Sequence, residues 1–484
     1  MCLDQNATPL FDAVKKYVDS GVVQFHVPGH KQGRGLPEYA EYVGRRVLQM
    51  DANGMDDLDF INHPVGVIKE AQQLFAEAFG ARQAYFLVNG TTSGVQAMIL
   101  AACEPGSEII VPRNMHKSVI NGIILSGAIP VYVQPVINHK LGIAMGVTEE
   151  SAEQAIKEHP RAKAILVINP TYYGPCSNIR HITDVAHEYG MAVIADEAHG
   201  THFYFHPDFA VPAIWAGADL SAISVHKTGG SMTQSSALLA NSDIIDEDRV
   251  LHALGLMYTS SASYPLMCSL DVARKQLALH GEQLLGKALK LARRARDEIN
   301  GTDGLIAFGP ELAGSPGCFD FDETKLGVHV TSLGRSGRSV ELLLREKYNI
   351  QVELADLYNI LSIISIGDSS EDVEAFVNAL KDISRNSSIK ERKKITELPD
   401  TPKMIVLPRD AFYSPKRVMP LASSVGEIAG EMIMAYPPGI PVLCIGERIT
   451  KDIVEYISVL KEERCELQGA TDPSTEYIRV LGAD

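Results

Sequence analysis

Basic residues are in the minority: 44 Lys and Arg face 60 Asp and Glu, a formal charge of −16. Nucleic acids and anionic membrane surfaces both demand a basic face, so neither is expected as a partner. An acidic surface suits a cationic substrate, and it serves general solubility equally well. Long apolar runs are missing too: no stretch approaches the ~20 apolar residues of a membrane-spanning helix. The opening Met-Cys-Leu-Asp-Gln-Asn lacks the basic and apolar regions of a signal peptide. Cysteine is sparse: Cys2, Cys103, Cys176, Cys268, Cys318, Cys444 and Cys465 stand apart without CxxC spacing. Such scatter argues against structural zinc and disulfides and fits a reducing cytosol, so a cytoplasmic protein without a metal site is expected. Tandem repeats and low-complexity tracts are absent as well.

What remains is an ordinary globular composition, 45% hydrophobic and 21% charged. A chain of 484 residues suggests about three domains. The first stretch with helical periodicity is Thr8 to Ser20, with Leu10, Val14, Tyr17 and Val18 on one side. The loop FHVPGHKQGRG, residues 25–35, follows. Its glycines and Pro28 exclude regular structure, yet it gathers His26, His30, Lys31 and Arg34. It reads either as a solvated basic loop or as an arm reaching a cofactor or a neighbouring subunit. Asp56, Asp57 and Asp59 precede a helix expected over Val67 to Phe79, where they can serve as caps.

From Tyr85 the pattern becomes strand alternating with helix. Apolar strands are expected near Tyr85–Val88, Glu108–Val111, Pro130–Val133, Ala164–Ile168, Ala192–Ala195 and Ser221–Val225. Helices are expected around Lys117–Ser126, Glu149–Glu158 and Ile179–Tyr189. Such alternation implies a mostly parallel sheet covered on both faces, and ligand sites of these sheets lie at the C-terminal strand ends. The polar stretches fall there. NGTTSG, residues 89–94, is a hydroxyl-rich turn before a helical run from Val95 to Cys103; Thr91, Thr92, Ser93 and the first backbone N–H groups can donate to an anion. It lacks the Walker lysine, which disfavours a nucleotide P-loop. ADEAHG delivers Asp196 and His199, and SVHKTGG delivers Lys227 where a strand breaks into a loop. A lysine at one strand end and an acid at another suit pyridoxal phosphate (PLP): the lysine condenses with the aldehyde and the acid pairs with the pyridinium nitrogen. Taken alone, Lys227 could equally be a surface lysine and His116 a helix cap.

Beyond about Leu285 a smaller α+β pattern runs to 385, with strand-like pieces near Cys318–Phe321, Val328–Thr331 and Leu361–Ile366. A charged linker is expected over 386–401 and a last α+β domain over 402–484. That domain includes Ala435-Tyr436-Pro437-Pro438-Gly439-Ile440-Pro441, a turn whose prolines forbid helix continuation. Residues 1–60 form an N-terminal arm and 61–285 the large domain.

FHVPGHKQGRG, NGTTSG, RNMHKS, INPTYYG, ADEAHG, SVHKTGG and YPPGIPVLCIGE, taken in this order, resemble the Orn/Lys/Arg decarboxylases. These are PLP enzymes of fold type I (aspartate aminotransferase-like), and the likeness spans nearly the whole chain. It is greatest to the compact, biosynthetic arginine decarboxylases of Gram-positive bacteria, which have no receiver-like domain ahead of the PLP portion. The resemblance implies that Lys227 carries the cofactor and that Asp196 pairs with its ring nitrogen. It further implies that His116 stacks on the ring, Ala198 packs against the other face, and Thr91, Thr92, Ser224 and His226 surround the phosphate. Ser260 aligns with a hydroxyl offered from the neighbouring subunit, so a homodimer or higher homo-oligomer with shared active sites is expected.

The expected reaction is decarboxylation of a basic amino acid: arginine to agmatine first, in polyamine biosynthesis, then lysine to cadaverine, then ornithine to putrescine. His199, Lys227 and water stay open as the proton donor to Cα. For the distal cation the acidic candidates are Asp56, Asp57, Asp59, Glu353 and Asp356. Relatives often carry an acid just ahead of the glycine at Gly426, where this chain reads Ser423-Ser424-Val425. Rival expectations are a PLP aminotransferase or lyase, for which Arg335 and Arg338 lie in about the right region to bind a substrate carboxylate, and a non-catalytic PLP-fold partner subunit.

Overall fold

The computed structural model describes residues 3–387, 399–436 and 439–482. Most of the expected linker, and Pro437 and Pro438 of the expected turn, fall outside these residues. Two compact units are formed, one from Met1–Ala102 with Ala192–Leu285 and one from Cys103–Met191 with Gly286–Asp484.

Seven short strands carry the α/β alternation: β1 (Gln83–Leu87), β2 (Glu108–Pro112), β3 (Ile129–Val133), β4 (Ala164–Ile168), β5 (Ala192–Glu197), β6 (Leu220–Ile223) and β7 (Ser236–Ala240). The first unit holds four of them, in the order β1-β7-β6-β5. β5 and β6 are parallel, and only β7 runs the other way, paired antiparallel with both β6 and β1. Residues on both faces of β5 are buried, as expected of a sheet covered on both sides. Helix Pro9–Asp19 buries Leu10, Val14 and Val18 in the same core as Phe75, Phe79 and Phe86. Helix Val67–Phe79 has the bounds its periodicity predicts. Of the three aspartates ahead of it, Asp59 does the capping, accepting from the backbone N–H groups of Gly66 (2.8 Å) and Ile68 (3.1 Å); Asp56 and Asp57 are exposed. In the basic loop His30 Nε2 meets Asp51 at 3.1 Å and Lys31 bonds to the His26 carbonyl, while Phe25 stays 94% exposed.

In the second unit β4, β2 and β3 are parallel neighbours in that order. An antiparallel sheet follows, ordered Ile306–Phe308, Lys325–His329, Asn359–Ile363, Leu354–Ala355, with helices Gly337–Tyr348 and Ser370–Arg385 contributing to its core. The C-terminal segment adds Lys416–Pro420 paired with Tyr477–Leu481, and a three-stranded sheet in which Ile440–Leu443 is an edge strand. Pro441 is tolerated there because an edge strand need not donate on both sides.

Two expectations shift. Helix Gly90–Ala102 begins inside NGTTSG, so Thr91 to Gly94 are its first turn. A first turn has no intrahelical partners for its N–H groups, which is why residues of modest helix propensity suit it. Lys227 lies in a single helical turn, Val225–Thr228, that directly follows β6.

A buried ion pair ties the N-terminal segment to helix Tyr264–Asn300. Arg274 and Asp271 are fully buried, 2.8 Å apart. Arg274 also donates to the carbonyls of Gln5 (2.7 Å) and Ala7 (2.6 Å), and Asp271 accepts from the Leu10 and Phe11 N–H groups. Arg274→Met strands the Asp271 charge and should destabilise the fold by about 3–5 kcal/mol. Urea unfolding monitored by circular dichroism checks this; a change under about 1 kcal/mol contradicts it.

Candidate active site

Strand register sets the site. Pairing of β5 with β6 puts Asp196 beside Ala222 and Glu197 beside Ile223, so the segments leaving both strands emerge from one edge. The antiparallel β7 begins at that edge, with Ala237 opposite Ile223, and β1 ends there, with Leu87 opposite Ser236. Three strand ends and one strand start thus bring Thr91, Asp196, His199, Ser224, Lys227 and Ser236 together from stretches far apart in sequence.

Lys227 Nζ lies 3.0 Å from His199 Nε2. A lysine acts as a nucleophile only as the neutral amine, and an imidazole in hydrogen-bond contact can exchange a proton with it. His199 is 5% exposed and Lys227 half-buried, so this contact is shielded without being sealed. The neighbouring acids Asp196 and Glu197 point to opposite faces of β5. Glu197, fully buried, accepts from Tyr204 Oη (2.7 Å), the Ala213 N–H (2.8 Å) and Ser221 Oγ (2.6 Å), and so organises the protein interior. Asp196, 7% exposed, accepts the Ala198 N–H at 3.1 Å and retains lone pairs for a further donor.

Thr91 Oγ1 shares a hydrogen bond with Ser224 Oγ and donates to Ser236 Oγ at 3.1 Å. Above this hydroxyl chain stands the start of helix Gly90–Ala102. Gly90 has φ +68°, which a side chain would oppose, and its N–H donates to the Gln234 carbonyl at 2.9 Å. Gly94 lets the helix approach the sheet: a Cβ there would meet Leu87 Cδ1 at 2.7 Å and Ala222 Cβ at 3.1 Å. Thr92 is exposed beside Thr91. Open N–H groups and hydroxyls at one helix start are suited to a phosphate group. His226 Nδ1 is 2.9 Å from the Ser235 carbonyl, which requires a proton on Nδ1.

The other expected residues stand as follows. Ala198 is half-buried directly after Asp196. Ser260 is exposed, between helices Glu247–Met257 and Tyr264–Asn300. His116 belongs to the second unit, where it caps helix Lys117–Ser126 by accepting the Ser118 N–H on Nδ1 at 3.2 Å. Ser236 was not an expected site residue; its place depends on antiparallel β7 lying between β1 and β6, a non-local pairing with no local sequence signal. Among the described residues, no three or more His, Cys, Asp or Glu gather as a metal site, and no helix is long and apolar enough to cross a membrane.

A lysine and an acid on adjacent parallel strand ends, beside a hydroxyl-lined helix start, define the lysine-centred α/β enzymes of fold type I. Solved structures agree on the fold. The constitutive lysine decarboxylase of E. coli superposes with a TM-score of 0.82 at 22% identity, over 99% of this chain and 82% of that one. A Sphingomonas wittichii serine palmitoyltransferase gives 0.56 at 16% identity, over 73% and 85%. The Orn/Lys/Arg decarboxylase major domain matches residues 8–329 and the Orn/Lys/Arg decarboxylase C-terminal domain residues 392–472. The chain belongs to the Orn/Lys/Arg decarboxylase family. Proteins named arginine decarboxylase from Bacillus subtilis (44% identical, 99% of both chains) and Bacillus anthracis (43%, 99% of this chain and 98% of that one) are similar over essentially their whole length.

Burial lowers the pKa of His226 from the ordinary 6.5, opposed by its bond to Ser235 and aided by the nearby Lys227 charge. The unfolded chain therefore takes up this proton first, so its contribution to stability is lost as pH falls through the ordinary histidine value. NMR titration should place the His226 pKa below 6.5. His226→Gln should flatten the acid-side loss of stability; a pKa at or above the ordinary value contradicts this.

Proposed function

We propose that the protein decarboxylates L-arginine to agmatine and carbon dioxide, serving polyamine biosynthesis in the cytoplasm, with PLP attached to Lys227. The observation that carries this is the contact of Lys227 Nζ with His199 Nε2 at 3.0 Å, beside buried Asp196, in a chain of the Orn/Lys/Arg decarboxylase family. Arginine is favoured over lysine and ornithine because the relatives named arginine decarboxylase align end to end at 43–44% identity, against 23% for the constitutive lysine decarboxylase of E. coli.

The donor set fits the cofactor. Lys227 supplies the amine for attachment, Asp196 a carboxylate with remaining acceptor capacity, and Thr91, Thr92, Ser224 and His226 the surroundings of the phosphate. When bound, PLP supplies an aldehyde that captures the substrate amine and a ring that takes up the electron pair freed with carbon dioxide. The remaining work falls to the chain. Asp196 holds a proton at the pyridine nitrogen, because a nearby negative charge favours the cationic form. His116 and Ala198 would hold the ring of the bound cofactor. His199 orients the Lys227 amine and exchanges a proton with it, and His199, Lys227 or water returns the proton to Cα. Ser260, exposed in the single chain, reaches the phosphate of a neighbouring copy, so the active unit is a homodimer or larger homo-oligomer.

Two of the five acids proposed for the distal cation are already engaged. Asp59 is 3% exposed and accepts backbone N–H groups. Asp356 accepts from Tyr173 Oη and from the Tyr358 and Asn359 N–H groups, both at 2.7 Å. Asp56, Asp57 and Glu353 remain, Glu353 held by Tyr172 Oη at 2.7 Å. Arg338 is paired with Glu341, which weighs against a carboxylate clamp of the aminotransferase kind.

Incubating PLP-loaded protein separately with arginine, lysine and ornithine should give agmatine and carbon dioxide from arginine; cadaverine, putrescine or a keto acid as main product contradicts the proposal. His199→Gln should lower kcat by about 10²-fold or more. Among Asp56→Asn, Asp57→Asn and Glu353→Gln, the variant that removes the distal contact should raise KM for arginine about tenfold with kcat nearly unchanged.

A further inference from the structure

Two motifs find no role in the chemistry above: the arginine of RNMHKS and the C-terminal run that ends in Leu443-Cys444-Ile445-Gly446-Glu447. The second unit brings them together. Arg113 follows β2 directly and is 7% exposed; Glu447 is fully buried, and their charged groups meet at 3.1 Å. The same guanidinium donates to the Pro441 carbonyl at 2.7 Å and lies over the Tyr132 ring, 5.6 Å from its centroid. Glu447 also accepts the Cys444 N–H at 2.7 Å, which fixes its carboxylate from the C-terminal side.

Three residues after Arg113 comes His116, the cap of helix Lys117–Ser126. That helix is gripped by the C-terminal segment at both ends. The Lys117 N–H donates to the Gly439 carbonyl at 3.2 Å, and Arg409 donates to the Ser126 carbonyl at 3.4 Å. Both are terminal backbone groups that the helix itself leaves without partners. The buried pair anchors the strand end just before His116, and these two bonds fix the helix just after it. The ring itself meets Ser118, whose Oγ and N–H lie 2.9 and 3.2 Å from Nδ1, so the contacts to residues 409–447 hold the backbone on either side of His116 and, through it, the place of the ring.

We infer that Arg113 and Glu447 are positioning residues for His116, the C-terminal segment acting as a brace that holds the backbone carrying this ring in place for the cofactor. The inference rests on the proposed placement of His116 against the PLP ring. It gives the C-terminal domain a function at the active site that requires none of its side chains to touch substrate. A misplacement on the order of 1 Å in a group that orients a reactant can cost about 10²-fold in rate, so a distant brace has measurable consequences.

The experiment compares the PLP-loaded protein with His116→Ala, Glu447→Gln, Arg409→Ala and the double variant His116→Ala/Glu447→Gln. The near-visible circular dichroism of the bound cofactor, its dissociation constant, and kcat and KM are measured for each. Glu447→Gln keeps the shape of the side chain; Arg409→Ala disturbs the brace from outside the buried pair and keeps the test available if the former fails to fold. The inference expects both to move the cofactor dichroism in the direction set by His116→Ala and to lower kcat more than they raise KM. It also expects the double variant to be no worse than His116→Ala alone. If His116→Ala changes the dichroism while Glu447→Gln and Arg409→Ala leave it unchanged, or if the double variant shows the full sum of both losses, the brace is refuted. If His116→Ala leaves the dichroism unchanged, the placement of His116 on the cofactor is refuted, and the brace with it.

Discussion

The position of Lys227 depends on how β5, β6 and β7 pair. Parallel register sets Asp196 beside Ala222, and antiparallel β7 returns Ser236 to the edge from which Ser224 leaves. Because side chains alternate along a strand, a slip of one residue in β5 would exchange Asp196 with Glu197. The acid with spare acceptor capacity would then face the interior, and the interior acid would lose Tyr204, Ala213 and Ser221. Hydrophobic burial enforces the register: Val193, Ile194, Ala195, Leu220, Ala222 and Ile223 are fully buried. The core thus holds the reactive edge in place, and chemistry at Lys227 inherits its precision from apolar packing elsewhere.

Buried polar groups follow a division of labour. Three acids deep in the protein are well supplied with donors: Glu197 by three, Asp271 by Arg274 and two backbone N–H groups, Asp356 by Tyr173, Tyr358 and Asn359. An unsatisfied polar group in such places costs about 1–3 kcal/mol, and more when charged, so these side chains are fixed parts of the framework. Of the groups proposed for chemistry at the strand ends, Lys227 and His226 are half-buried and Asp196 keeps acceptor capacity. The same contrast separates Asp59 and Asp356, drawn into the backbone, from Asp56, Asp57 and Glu353 at the surface.

Much of this was legible in the chain. Periodicity located helices Val67–Phe79, Lys117–Ser126 and Glu149–Glu158 because each has one apolar face and a clear cap or stop, and a short unbroken apolar run located β4. The ordered motifs identified the family, and the fold followed from it. What local pattern does not carry is pairing. The helix start inside NGTTSG was hidden because Thr and Ser read as turn residues, although the first helical turn favours them for the same hydrogen-bonding reason. Ser236 joined the hydroxyl chain only through the antiparallel placement of β7. Arg113 and Glu447, more than 300 positions apart, had no signal linking them until the fold brought them to 3.1 Å.

The most direct measurement is borohydride reduction of the PLP-loaded protein, followed by proteolysis and mass mapping. The account predicts one pyridoxyl adduct, on Lys227, in the peptide containing Ser224 to Gly230. An adduct on another lysine, or none, would contradict it.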